Sequence, residues 1–152
     1  MAVIINGRDL TVEEVIRVCR GGEKVEIAPD AKIAVNKARA YIEKKLEDGA
    51  VIYGLTTGFG KFANVRISKE ETARLQKNLI ISHTCTFGES YPREYVRAAM
   101  LLRCNALTRG NSGIRLSTIQ TLLDMLNAGI HPVVPRKGSL GCLLYTSDAA
   151  DD

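Results

Sequence analysis

The sequence predicts a mainly α-helical fold with a small N-terminal pair of strands. Three observations predict it. Apolar residues recur at helical spacing in five segments between residues 11 and 126. Two of those segments open with a Ser/Thr-x-x-Glu box, the mark of a capped helix start. Only two short runs, Val3–Ile5 and Lys24–Ile27, read as strands.

The elements follow in order. Val3–Ile5 and Lys24–Ile27 flank a helix over Thr11–Arg20, so the chain begins as a small β-α-β cap. Thr11 offers its hydroxyl to an orphan N–H while Glu14 reaches back, and Gly21-Gly22 stops the helix. Pro29-Asp30 opens the next helix, with Ile33, Ala34, Ala38, Tyr41, Ile42 and Leu46 on its apolar face and Asp48-Gly49 at its end. After Val51-Ile52-Tyr53 comes Gly54-Leu-Thr-Thr-Gly-Phe-Gly60, a loop rich enough in glycine to need positive φ angles or close backbone approaches. Ser68-Lys-Glu-Glu71 caps a helix that runs to about His83. Pro92 suits the first turn of a fourth helix, which carries Val96, Ala99, Met100, Arg103, Cys104 and Leu107. Gly110-Asn-Ser-Gly113 breaks it, Ile114–Leu126 is helical again, and the prolines at 132 and 135 force an extended segment.

The chain has 152 residues, about one domain's length. Its 45% apolar and 25% charged content is ordinary globular usage, which excludes disorder as the overall state. The net charge of +4 is scattered, with no basic run and no aromatic–basic interleaving, so a nucleic-acid surface is not expected. No apolar run is long enough to span a bilayer, and no signal peptide is visible. Cys19, Cys85, Cys104 and Cys142 form no Cys-x-x-Cys pair, and neither His83 nor His131 stands at metal-ligand spacing. Buried free thiols in a cytoplasmic protein without a metal site are therefore expected.

Few residues stand out chemically. Tyr53, at the edge of the glycine-rich loop, is either a core residue with a partnered hydroxyl or a phenol delivered by a mobile loop as acid or base. The loop lacks the spacing of a phosphate cradle. His83 is either a helix-end histidine favoured by the dipole or an imidazole facing a ligand. Gln76, Asn78 and Asn105 lie among apolar neighbours and are expected to be buried and hydrogen-bonded. Arg103, Arg109 and Arg115 fit either helix packing or anion contact.

Four blocks in register carry a resemblance. Tyr53-Gly-Leu-Thr-Thr-Gly-Phe-Gly-Lys-Phe, Leu75-Gln-Lys-Asn-Leu-Ile-Ile-Ser-His83, Arg103-Cys-Asn-Ala-Leu-Thr-Arg-Gly-Asn-Ser-Gly-Ile-Arg115 and Pro132-Val-Val-Pro-Arg-Lys-Gly-Ser-Leu-Gly141 are similar to segments of the aromatic amino acid lyases. The resemblance spans residues 3–141, with the order and spacing of the family's histidine-acting members. It implies the N-terminal portion of that family's helical fold and a cytoplasmic homotetramer. The implied activity is conversion of L-histidine to urocanate and ammonia, with a small amino acid as the partner and neither nucleic acid nor membrane. Tyr53 matches the family's proton-abstracting tyrosine, and His83 and Gly60 its substrate-binding positions. Ser82-His83 looks like the histidine-selective form, whereas Thr56 stands where histidine lyases more usually have Asn and the phenylalanine branch has Thr. A tyrosine or phenylalanine lyase, or an aminomutase, is the alternative reading.

The family's electrophile, methylidene-imidazolone, arises from an Ala-Ser-Gly tripeptide following Gly-Ser-x-Gly. Here Gly138-Ser-Leu-Gly141 is followed by Cys142-Leu-Leu-Tyr-Thr-Ser-Asp148, and no Ala-Ser-Gly occurs in the sequence. Residues 142–151 of the tail can be encoded by TGT-CTC-TTA-TAC-ACA-TCT-GAC-GCT-GCC-GAC, which looks like a transposase adapter from short-read DNA sequencing. Residues 1–141 are accordingly expected to be part of an ammonia-lyase domain, and 142–152 a non-native tail. The chain as it stands is expected to be inactive, an inert piece of a longer parent.

Overall fold

The computed structural model describes residues 2–58, 67, 69–84 and 86–138, the side chains of Lys69, Glu70, Thr72, Ala73, Leu79 and His83 excepted. In chain order the elements are β1 (Val3–Ile5), α1 (Val12–Cys19), β2 (Val25–Ile27), α2 (Pro29–Glu47), α3 (Lys69–His83), β3 (Phe87–Ser90), α4 (Arg93–Leu107), α5 (Leu116–Asn127) and β4 (Pro135–Lys137). They form two compact units, one of Met1–Gly49 with Tyr91–Val133 and one of Ala50–Ser90 with Val134–Asp152.

The first unit begins with the expected β-α-β cap. Strands β1 and β2 pair in parallel, Val3 opposite Val25 and Ile5 opposite Ile27, and these four side chains are buried. Helix α1 is capped as its sequence dictates: Thr11 Oγ1 accepts from the Glu14 amide, and a Glu14 carboxylate oxygen accepts from the Thr11 amide at 2.9 Å. The outer edge of β2 is closed by one side chain. Asn127 Oδ1 accepts from the Val25 amide and Asn127 Nδ2 donates to the Val25 carbonyl, both at 2.9 Å.

Three helices complete the core. Helix α2 buries Ala31 and Val35, four residues apart, while Ile33 and Tyr41 are 69% and 62% exposed. The apolar face expected for this helix is therefore too wide, because only the stripe through Ala31 and Val35 meets the core. Helix α4 buries Val96, Arg97, Met100, Leu101 and Cys104. Ala99 and Arg103, expected on that face, are exposed, since the buried stripe is rotated toward Arg97 and Leu101. Pro92 precedes the first turn as an extended N-cap instead of sitting within it. Helix α5 starts at Leu116 after an extended Arg115 and buries Ile119, Leu123 and Leu126. In the α4–α5 connection Gly110 has φ +74°, and a Cβ there would lie 2.8 Å from the Ala34 carbonyl group. Only glycine permits that approach.

Arg97 is 2% exposed, a charge inside the core. Its guanidinium donates to the Val18 carbonyl at 2.9 Å, the Cys19 carbonyl at 3.3 Å and the Leu126 carbonyl at 2.9 Å. These carbonyls end α1 and α5, where helix backbones carry partial negative charge; those of Val18 and Leu126 also accept from the Gly22 and Gly129 amides, each at 3.2 Å. Burial lowers the Arg97 pKa, but a guanidinium keeps its proton.

Cys19 and Cys104 are buried free thiols, as expected; Cys85 and Cys142 lie outside the described residues. Burial raises the Cys19 pKa and pushes that of Cys104 to about 11.

The second unit contains α3 and a strand pair the sequence did not announce. Strands β3 and β4 are antiparallel, Phe87 opposite Lys137 and Ser90 opposite Pro135, with a register shift between. Lys137 Nζ lies 5.7 Å from the centre of the Phe87 ring. Helix α3 ends at His83 as predicted, but Gln76 and Asn78 are exposed, not buried, and so are Ile80 and Ile81. Those amides are solvated, so burial is not what satisfies them. The expected cap at Ser68 lies outside the described residues.

Two predictions follow from this core. Arg97→Met keeps much of the volume but removes a donor from three helix-end carbonyls. Those of Val18 and Leu126 keep the Gly22 and Gly129 amides, so the loss falls on the Cys19 carbonyl and should cost roughly 1–3 kcal/mol by denaturant unfolding. Cys104 has a folded pKa of about 11 against an ordinary 9.0, so the folded state holds the proton longer than the unfolded one. Its contribution is fully present below the unfolded value and is lost as pH rises toward the folded one, in total roughly 2–3 kcal/mol. Unfolding midpoints measured across that alkaline range should fall more steeply for the chain than for Cys104→Ala.

Candidate active site

Tyr53 stands in a tight turn directly after α2 and its connecting residues. The Leu55 and Thr56 amides both donate to the Ile52 carbonyl, at 3.0 and 2.9 Å, which closes the turn around Tyr53 and Gly54. Gly54 has φ +71°, a conformation that costs glycine little and other residues much. The positive φ angle expected in this loop therefore falls on the residue next to Tyr53.

Two hydroxyls hold the turn. Thr56 Oγ1 accepts from the Ile52 amide at 2.8 Å, with the Ala50 and Ile52 carbonyls at 3.3 and 3.4 Å as acceptors for its proton. Thr57 Oγ1 accepts from the Gly54 amide at 3.2 Å and donates to the Gly58 carbonyl at 3.0 Å. Thr57 is 2% exposed. The Thr56 carbonyl accepts from the Ile67 amide at 3.0 Å, joining the two ends of the intervening loop. Tyr53 itself is 63% exposed, so its side chain does not fill a core.

The other expected site residues are placed less completely. His83 is the last residue of α3, in the same unit as Tyr53, and its side chain lies outside the described residues; Gly60 lies outside them altogether. Asn105 is half-buried and its Oδ1 accepts from the Gly7 amide at 2.8 Å, a structural bond between the α4 end and the β1 loop. Arg103, Arg109 and Arg115 are exposed. Among the described residues no group of three or more His, Cys, Asp or Glu side chains could hold a metal. Among the described helices none is long and apolar enough to cross a membrane.

Thr57 went unnoticed in the sequence as a site residue. Its signal is the Thr-Thr pair two residues after Tyr-Gly, since threonine hydroxyls readily bond backbone groups a few residues away and shape turns.

Comparison with known proteins agrees with these features. The family model of aromatic amino acid lyases matches residues 10–150. The chain is 52% identical over 139 residues to a histidine ammonia-lyase of Alkaliphilus metalliredigens, covering 91% of this chain but 27% of that protein. Among solved structures it resembles the histidine ammonia-lyase of Trypanosoma cruzi, with 37% identity and a TM-score of 0.84 over 93% of this chain and 28% of that one. It also resembles the phenylalanine aminomutase of Pantoea agglomerans, with 35% identity and a TM-score of 0.85 over 92% of this chain and 28% of that one. The chain thus spans about a quarter of the length of the relatives it matches. With the family model covering nearly its whole length and a fold that superposes on solved members, this chain belongs to the aromatic amino acid lyase family.

Proposed function

We propose that residues 1–141 are the N-terminal part of a histidine ammonia-lyase, an enzyme that removes ammonia from L-histidine to leave urocanate. The tail 142–152 is then a non-native, adapter-encoded addition. The observation that carries the reading is the ordered, solvent-accessible Tyr53 turn in a chain 52% identical to a histidine ammonia-lyase. Elimination requires removal of a weakly acidic β-proton, and a phenol on a rigid turn can take it. His83 offers a ring nitrogen to an imidazole substrate as donor or acceptor, depending on tautomer. Gly60 is proposed as a substrate-binding residue because it matches such a position of the family in sequence.

The family's methylidene-imidazolone supplies an electrophile, but this chain has no Ala-Ser-Gly from which to form it. The residues present do not fit that group, and the chain by itself is proposed to be inactive. The parent is proposed to be a cytoplasmic homotetramer acting on a small amino acid, with neither nucleic acid nor membrane as partner. A tyrosine or phenylalanine lyase, or an aminomutase, is the second reading, favoured by Thr56 and by the similarity to the phenylalanine aminomutase.

Both roles can be tested in a full-length chimera, with residues 3–141 replacing the matching segment of the Alkaliphilus metalliredigens enzyme. Tyr53→Phe keeps the ring and loses the hydroxyl, and should lower turnover by about 10²–10⁴, read by urocanate absorbance. Near-normal turnover would move proton abstraction elsewhere. His83→Leu should lower kcat/KM for histidine by at least about tenfold and raise relative activity on phenylalanine, because a site built for a polar ring is left with an apolar one. Full histidine activity with no gain on phenylalanine would make His83 only a helix-end residue and remove the main support for histidine as substrate.

A further inference from the structure

We infer that Thr56 and Thr57 are positioning residues for Tyr53, their hydroxyls holding the backbone on either side of it. The inference rests on the proposed role of Tyr53 as the proton acceptor and adds what keeps that acceptor in place.

The bonding pattern is local. The Ile52 amide, one peptide group before the one that joins Ile52 to Tyr53, ends on Thr56 Oγ1 at 2.8 Å. The amide on the C-terminal side of Tyr53, that of Gly54, ends on Thr57 Oγ1 at 3.2 Å. Each hydroxyl also has a backbone carbonyl within reach to take its proton: Ala50 or Ile52 for Thr56, Gly58 for Thr57. A hydroxyl carries one proton and two lone pairs, so each threonine both accepts and donates within the turn. The Ile52 carbonyl takes two amides from the other side, and the Ile67 amide anchors the Thr56 carbonyl. The backbone on both sides of Tyr53 is therefore held by groups a few residues away in sequence.

The two hydroxyls are not equivalent. Thr56 is half-buried, so water can replace its hydroxyl in a variant. Thr57 is 2% exposed, and removing its hydroxyl leaves the Gly54 amide and the Gly58 carbonyl without that partner in a buried place. Thr57 thus carries the larger share. Proton transfer is sensitive to position: a displacement of about 1 Å can cost on the order of a hundredfold in rate. A base carried on a turn gains most from such a lock.

The test has two arms. In the chain itself, Thr57→Val should speed hydrogen exchange of the Gly54 amide by about tenfold or more while core amides of α4 stay unchanged, and Thr57→Ser should restore it. In the full-length chimera, Thr57→Val should lower kcat by roughly 10–100-fold with KM changed by less than about twofold, and Thr56→Val should have the smaller effect. Thr57→Ser should recover most of the activity. In a Tyr53→Phe background, Thr57→Val should add little further loss, because there is no base left to misplace. The inference is overturned if Ser and Val at 57 are equally damaging, which would make the methyl the important group. Unchanged kcat in Thr57→Val, or an undiminished loss in the Phe background, overturns it as well. If Tyr53→Phe alone keeps full turnover, the proton-acceptor reading fails, and Gly54 exchange still decides whether the hydroxyls hold the turn.

Discussion

One guanidinium organises the larger unit. Arg97 stands on α4 and bonds the carbonyl ends of α1 and α5, so three helices meet at a single side chain. A buried charge is expensive unless it is solvated by the protein, and here the solvating dipoles are two helix C-termini. The Val18 and Leu126 carbonyls also accept from the Gly22 and Gly129 amides, so the guanidinium adds a charged donor to helix ends that their own turns already close. Only eight residues long, α1 gains a fixed end from this contact. The remaining core, Ile5, Val25, Leu101, Ile119 and Leu123, then packs as apolar side chains around elements whose polar ends are already matched.

The candidate site has a different construction. Its order comes from short-range hydrogen bonds within residues 50–58 and from one bond to Ile67. Such a turn needs no large core to keep its shape. Nearby in the same unit, α3 exposes Ile80 and Ile81, and β3 exposes Phe87. The chain represents about a quarter of the length of its relatives, and no Ala-Ser-Gly occurs in its sequence.

Legibility in the sequence followed the range of the interactions involved. The capping box at Thr11 and the glycine conformation at Gly54 are decided within four residues, and both were readable. The strands β1 and β2 were readable from short apolar runs. Arg97 was not, because an arginine on a helix reads as solvated unless one knows which carbonyls converge on it. The same limit shifted the buried face of α4 away from Ala99 and Arg103. Strands β3 and β4 lacked any alternating pattern, and their pairing joins segments far apart in the chain. Tyr53 was legible as a candidate through its glycine neighbours and through resemblance. Its threonine supports emerged only from the geometry.

The division of the larger unit into Met1–Gly49 and Tyr91–Val133 has a consequence for how the chain is made. Synthesis proceeds from the N-terminus, and the strand pair with α1 emerges first. Yet the edge of β2 is closed by Asn127, and the end of α1 by Arg97. A nascent chain must therefore carry its first strands and helices with an open edge and without the Arg97 contact at the end of α1 while the whole intervening segment is translated. Native order in the cap arrives late, when α5 leaves the ribosome, so this unit is completed from its C-terminal side although it is begun from its N-terminal one.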